Sequence, residues 1–334
     1  MTPVEVDDDT FYGPRCSGST PTNRTFLGDL ALKAADQNPS VIAFDFQWKG
    51  INGRMGDDPI REKDNEHLLA AIRQITGKGI PVVVTTGLIK QADGSFIRQA
   101  NVYGDSSLPS GTLVGHINLP VDKRKIALKM KSWDWQHTTQ TDLSSLSLQV
   151  VAAYENELGI QPRTADDSSI KNSARKEWVF GGFFEPTAFP SISAHKLLEG
   201  DPMAVSLCRH RIVLIGGTWH TSDGTLIESF PSPVGSVPGL YLHANYIESL
   251  LDNRFKQSVP RWLAVILDFF LSMLMYLSFN SVTQTSKRLG VLVAFLLPLT
   301  AAYFLFANAG RYLDFMIPLS LCFIDLVRQT VTLR

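Results

Sequence analysis

Asp7, Asp8, Asp9 and Asp45 are the side chains whose type and placement first suggest chemistry. The first three follow a short apolar run at 4–6 and Asp45 lies in another at 41–46, which would gather the four carboxylates at the C-terminal ends of two neighbouring strands. Open α/β sheets bind ligands at that edge, and clustered carboxylate oxygens suit Mg²⁺ or Ca²⁺. One chemistry open to them is a metal-dependent hydrolase using Asp7, Asp9 and Asp45. The alternative is structural, because aspartate caps helices and closes turns through local hydrogen bonds.

His195, His220, Asp223 and His243 form a second set that could converge as a metal or catalytic group. Their spacing matches no zinc signature, and imidazoles in loops and helices commonly serve as ordinary hydrogen-bonding groups. Gly216-Gly217-Thr218 ends an apolar run in the manner of a phosphate-cradling turn, but neither a Lys-Ser/Thr ending nor Gly-x-Gly-x-x-Gly spacing accompanies it, so a tight strand-to-loop turn is expected. A Gly-x-Ser-x-Gly elbow and a catalytic cysteine context are both missing. The residues therefore assign no catalytic group, cofactor or metal. The ligand contacts to examine are Asp7, Asp9, Asp45, Asp223 and His243.

Elements that could hold these residues are legible as an alternation. Apolar, β-branched runs at 4–6, 41–46, 82–86 and 212–215 read as buried strands, with further strands at 112–117 and 178–184. Helical stretches at 27–37, 68–75 and 143–158 lie between them, and 166–176 reads as a polar surface loop. Such alternation predicts an α/β fold, a mostly parallel sheet with flanking helices. Pro238-Gly239 opens an amphipathic helix over 240–251, either a rigid connection leading to the membrane or simply packing against the sheet.

The 334 residues carry 31 basic and 32 acidic side chains, a net charge of −1, without a basic stripe, so nucleic acid is not an expected partner. Nearly all those charges precede Arg261, dividing the chain into an α/β domain at 1–258 and an apolar part at 259–334. Runs at 262–279, 289–307 and 312–327 are expected to form an all-α transmembrane bundle in a lipid bilayer, the third with a re-entrant or interfacial segment as its alternative and the whole with a buried helical hairpin as its alternative. Asp268 interrupts the first run; a carboxylate there should face a neighbouring helix, where it could take part in signal transmission. Lys287, Arg288, Arg328 and Arg334 favour an outer α/β domain, while Arg254, Lys256 and Arg261 oppose it. Residues 1–30 hold no apolar leader, so either an upstream membrane segment precedes Met1 or the domain is cytoplasmic. Cys16 and Cys208 are either free thiols or a disulfide.

From residue 4 onwards the chain resembles the type 2 CHASE family, the extracellular sensory domains associated with bacterial cyclases and histidine kinases. The resemblance is carried by Ser193-Ala194-His195-Lys196-Leu197-Leu198, Arg211-Ile212-Val213-Leu214-Ile215-Gly216-Gly217-Thr218, Asp223, Ser232-Pro233-Val234-Gly235 and Pro238-Gly239-Leu240-Tyr241-Leu242-His243-Ala244-Asn245, with Ser249-Leu250-Leu251 after them. Looser matches lie at 4–10, 24–32, 41–46 and 115–121. The resemblance implies an outward-facing sensor in the bacterial cytoplasmic membrane, with one membrane helix before it and three after it. It further implies an extracytoplasmic ligand and signalling to a cytoplasmic output partner, with a homodimer as one arrangement. The alternatives are the tethered hydrolase and a scaffold subunit of a membrane complex. The family's leading helix and an attached kinase, cyclase or phosphatase domain have no counterpart between Met1 and Arg334.

Overall fold

The computed structural model describes residues 1–18, 22–47, 59–90, 96–98, 108–118, 129–130, 145–160, 178–180, 183–232, 234–252, 255–258, 266, 269, 273, 300 and 311–312. The runs predicted at 262–279, 289–307 and 312–327 lie almost wholly outside these, as do Asp268 and the loop at 166–176. Among the described residues no helix is long and apolar enough to cross a membrane.

The strands in chain order are β1 (Thr2–Val6), β2 (Val41–Asp45), β3 (Val82–Thr86), β4 (Leu88–Lys90), β5 (Phe96–Arg98), β6 (Thr112–His116), β7 (Lys129–Met130) and β8 (Trp178–Phe180). They continue with β9 (Ile192–Ser193), β10 (Ile212–Gly217), β11 (Ser229–Ser232), β12 (Gly235–Pro238), β13 (Phe255–Ser258) and β14 (Arg311–Tyr312). The helices are α1 (Asp8–Phe11), α2 (Arg24–Ala35), α3 (Pro59–Gly77), α4 (Leu146–Glu157), α5 (Ala194–Glu199), α6 (Pro202–Leu207) and α7 (Gly239–Leu251).

Six strands form one parallel sheet in the order β6-β3-β2-β10-β1-β9. The α/β expectation holds. The expected adjacency of β1 and β2 does not: β10, the last strand of the sheet in sequence, inserts between them. Its Ile212-Val213-Leu214-Ile215 run is buried on both faces, and a strand apolar on both sides belongs in the centre of the sheet. Register places Phe44, Ile215 and Val4 in one row across β2, β10 and β1, all fully buried.

Alternation along the strands sorts their side chains between two faces. Val4, Ile42, Phe44, Val82, Val84, Val213 and Ile215 meet Leu27, Leu30, Leu68, Ile72 and Leu197 from α2, α3 and α5 in one continuous core. Helices α4 and α7 pack on each other and on the strands from the opposite side. Burial of this apolar surface, at roughly 25 cal/mol per Å², dominates the stabilisation.

The chain divides into two compact units. Unit one comprises Met1–Arg175 and Gly182–Asn253 and holds the parallel sheet. Unit two comprises Lys176–Gly181 and Arg254–Arg334, where β13 pairs antiparallel with β8 and parallel with β14. The strand expected at 178–184 thus spans Trp178–Phe180 and joins β13 rather than the parallel sheet. Helical positions Ile266, Phe269 and Met273 in unit two expose large apolar side chains.

Candidate functional site

Asp45 closes β2 and, by alternation, points to the face covered by α4 and α7. Its side chain is 3% exposed, and Oδ1 has no hydrogen-bond partner. Burial pushes its carboxyl up from 3.8 to about 7, because the charged form loses hydration that nothing replaces.

His243, on the second turn of α7, brings Nε2 to 3.5 Å from Asp45 Oδ1. Burial lowers this imidazole to about 4, so around neutral pH the ring is neutral and the pair is not an ion pair. The other ring nitrogen, Nδ1, lies 3.3 Å from Ser147 Oγ on α4. His116, at the end of β6, is held down to about 3 by burial and then by the nearness of His243. A string of buried titratable groups therefore runs along the C-terminal edge of the sheet from β2 to β6.

The first turn of α7 completes this arrangement. Pro238 caps the helix without a side-chain hydrogen bond, and Gly239 N–H donates to the Glu228 carbonyl at 3.1 Å. A Cβ on Gly239 would stand 3.4 Å from Glu228 Oε2 and 3.9 Å from Asp45 Oδ2, so the positive end of the helix dipole faces two carboxylates. Glu228 itself adopts φ 47°, a left-handed backbone unusual for a side chain of its type.

Next to Asp45 a cavity of about 160 Å³ opens at the ends of β2 and β10. Arg24, Asp45 and Glu228 are the titratable residues of its lining, and Leu27, Trp219 and Ile227 supply apolar walls. Asn23 caps α2 by accepting from Phe26 N–H at 3.1 Å, which sets the first helical residue, Arg24, at the cavity. Arg24 is 6% exposed and donates to Asn65 Oδ1 on α3. Trp219 stacks on Phe11 at 4.1 Å between ring centroids and lies over Gly217, where a Cβ would come within 2.2 Å of the indole. Only glycine admits that ring.

The remaining sequence candidates lie apart from this cavity's lining. Asp7 caps α1, accepting from Thr10 N–H at 3.0 Å and from the Thr10 hydroxyl, and Asp9 is exposed in the same short helix. Asp8 accepts from His220 N–H at 2.6 Å and meets its ring at 2.8 Å; the backbone hydrogen bond, then the ring, keeps this carboxyl below the usual range. His195 pairs with Glu199 at 3.2 Å on an exposed turn. Asp223 closes a surface turn with the Thr221 hydroxyl and Thr225 N–H, which lower its carboxyl in that order.

The two sets thus separate, and Asp45 with His243 is the pair brought together. Among the described residues no group of three or more His, Cys, Asp or Glu is placed to hold a metal ion. Cys16 and Cys208 are buried free thiols, and burial raises both, Cys208 to about 11. Sequence reasoning missed Arg24, Trp219 and Glu228. Trp219 carried a faint signal, an aromatic two residues after the strand-ending glycines, and Arg24 another, a charge at the head of the turn that brings in Phe26 and Leu27.

No curated protein and no solved structure matches the chain. The pattern of the CHASE2 domain matches residues 2–278, which takes in the parallel sheet, the cavity and α7. The chain therefore belongs to the CHASE2 domain family, a family of sensory rather than catalytic domains.

Proposed function

We propose that the chain is a membrane-anchored, extracytoplasmic sensory module of the bacterial cytoplasmic membrane. In this reading the cavity beside Asp45 binds a small signal, and α7 relays the response into the segments at 262–279, 289–307 and 312–327 and on to a cytoplasmic output partner. In this reading Asp268, within the first of those apolar segments, takes part in signal transmission, while Asp7, Asp9 and Asp223 lie outside the cavity's lining. The observation that carries the proposal is the contact of Asp45 with α7. A ligand that changes the charge or hydration of Asp45 acts directly on Gly239 and His243, in the first two turns of the helix that leads towards the apolar segments. A signal must bind two states unequally to shift them, and a buried carboxyl with one oxygen lacking a hydrogen-bond partner offers that difference.

The test is protease accessibility of the α/β unit in intact cells producing this chain and, in parallel, a version extended by any upstream in-frame codons. Cleavage from outside is expected. Protection until the membrane is opened would place the unit in the cytoplasm and overturn the proposal.

A further inference from the structure

His116, His243 and Asp45 form a row of buried titratable side chains beneath one layer of the fold, where α4 and α7 pack on each other and on the sheet. α4 is seated on His116 by its start: Ser145, its N-cap, forms a β-bridge with His116, and a Cβ on Gly115 would stand 2.6 Å from Leu146 Cα. α7 carries His243, with Nδ1 3.3 Å from Ser147 Oγ on α4 and Nε2 3.5 Å from Asp45 Oδ1. Lifting the two helices together would therefore bring water to all three groups.

That step changes how many protons the row holds. With the layer seated, burial keeps both imidazoles neutral and the carboxyl protonated at pH 5, so the three groups hold one proton. In water at the same pH the carboxyl, near 3.8, releases its proton and the imidazoles, near 6.5, take one each, so the groups hold two. Asp45 and His243 alone would cancel, because the proton one loses on opening is the proton the other gains. His116 breaks the balance.

We infer that acid releases the α4/α7 layer from the sheet through the net uptake of one proton by His116, His243 and Asp45. The motion goes beyond the sensory reading, and its consequence rests on that reading, since α7 is the helix assigned there to the relay. The groups around the row are few. Next to Asp45, β3 and β10 present no titratable side chain, α4 presents the Ser147 hydroxyl, and Arg24 from α2 and Glu228 from the loop before β11 line the adjoining cavity. Tyr246, on the same helix as His243 with ring centroids 6.1 Å apart, has its phenol pushed up by burial and stays neutral.

Hydrogen exchange of the full chain in nanodiscs from pH 6.5 to pH 4.5, corrected for the intrinsic pH dependence of exchange, reads opening helix by helix. Protection of α4 and α7 should fall by up to about tenfold per pH unit in the wild type, as one proton per opening requires. Asp45→Asn, which imitates the protonated carboxyl, should steepen this to about a hundredfold per unit, and His116→Gln or His243→Gln should each flatten it. Slopes are the readout, so a variant of lower stability still reports. A flat wild-type profile would overturn the inference. So would a slope that both histidine variants keep, or one that α2 and α3 on the opposite face share, which is global unfolding. An unchanged slope in Asp45→Asn would remove the carboxyl from the count and refute the one-proton assignment. These outcomes concern the layer alone, and the sensory reading stands or falls on the protease experiment.

Discussion

Replacing Asp45 by asparagine should change how stability depends on pH, and the size of the change comes from burial. The native state holds the Asp45 proton up to about pH 7, whereas the unfolded chain releases it near 3.8. Between those values the native chain binds more protons, so this group makes stability fall as pH rises, and above about 7 its effect is constant. From pH 5 to pH 8 the wild type should thus lose on the order of 3 kcal/mol relative to Asp45→Asn, about two units of titration between pH 5 and the Asp45 value near 7. His243 and His116 act in the opposite direction on the acid side, because burial lowers both and their neutral forms are favoured in the fold. They are present in both proteins, so to first order the comparison cancels them. Urea unfolding of the full chain, followed by tryptophan fluorescence and circular dichroism at half-unit pH steps, gives the two profiles. Curves parallel to within about 0.5 kcal/mol from pH 5 to pH 8 would refute the reasoning and mean that the carboxyl ionises in the fold as freely as in water.

Gly217→Ala should destabilise unit one by about 1–3 kcal/mol and displace the Trp219 indole from Phe11, since the new methyl would fall within the ring's contact distance; unchanged tryptophan emission with unchanged stability would count against this packing. Asp7→Ala should cost about 1 kcal/mol through loss of the α1 cap, with neither Mg²⁺ nor Ca²⁺ altering the melting temperature of wild type or variant. A metal-dependent shift in the wild type that the variant loses would make Asp7 a ligand instead.

The parts of this fold visible in the sequence are those governed by local pattern. The runs at 41–46, 82–86 and 212–215 announced themselves because strands buried on both faces need uninterrupted apolar residues, and they became β2, β3 and β10. Strand order was not visible, because it depends on which apolar surfaces meet across long separations, and β10 took the place between β1 and β2. The same limit governs the site. Asp45 stood out as a charge in an apolar strand, and His243 as a polar residue in the helix after Pro238-Gly239. Their contact joins residues almost two hundred positions apart, and no periodicity encodes it. Glu228 had no signal at all, since its role comes from its backbone carbonyl and from the loop's approach to α7.

The insertion of β10 also explains why a ligand at Asp45 would be felt by α7. Beside β1, as first expected, β2 would have faced the aspartates at 7–9; with β10 between them, the neighbour of Asp45 is Gly216, where a Cβ would lie 2.7 Å from the Leu240 side chain and 3.1 Å from Asp45 Cβ. Strand end, carboxyl and helix start are therefore packed without room for a methyl group. Close-packed interiors transmit displacement because they cannot absorb it. An occupant that ionises or hydrates Asp45 must be accommodated by α7 or by the Glu228 loop. The loop's left-handed Glu228 backbone and its hydrogen bond to Gly239 tie it to the same first turn. Both routes of accommodation end on one helix, which is the arrangement a sensor needs and a rigid scaffold does not.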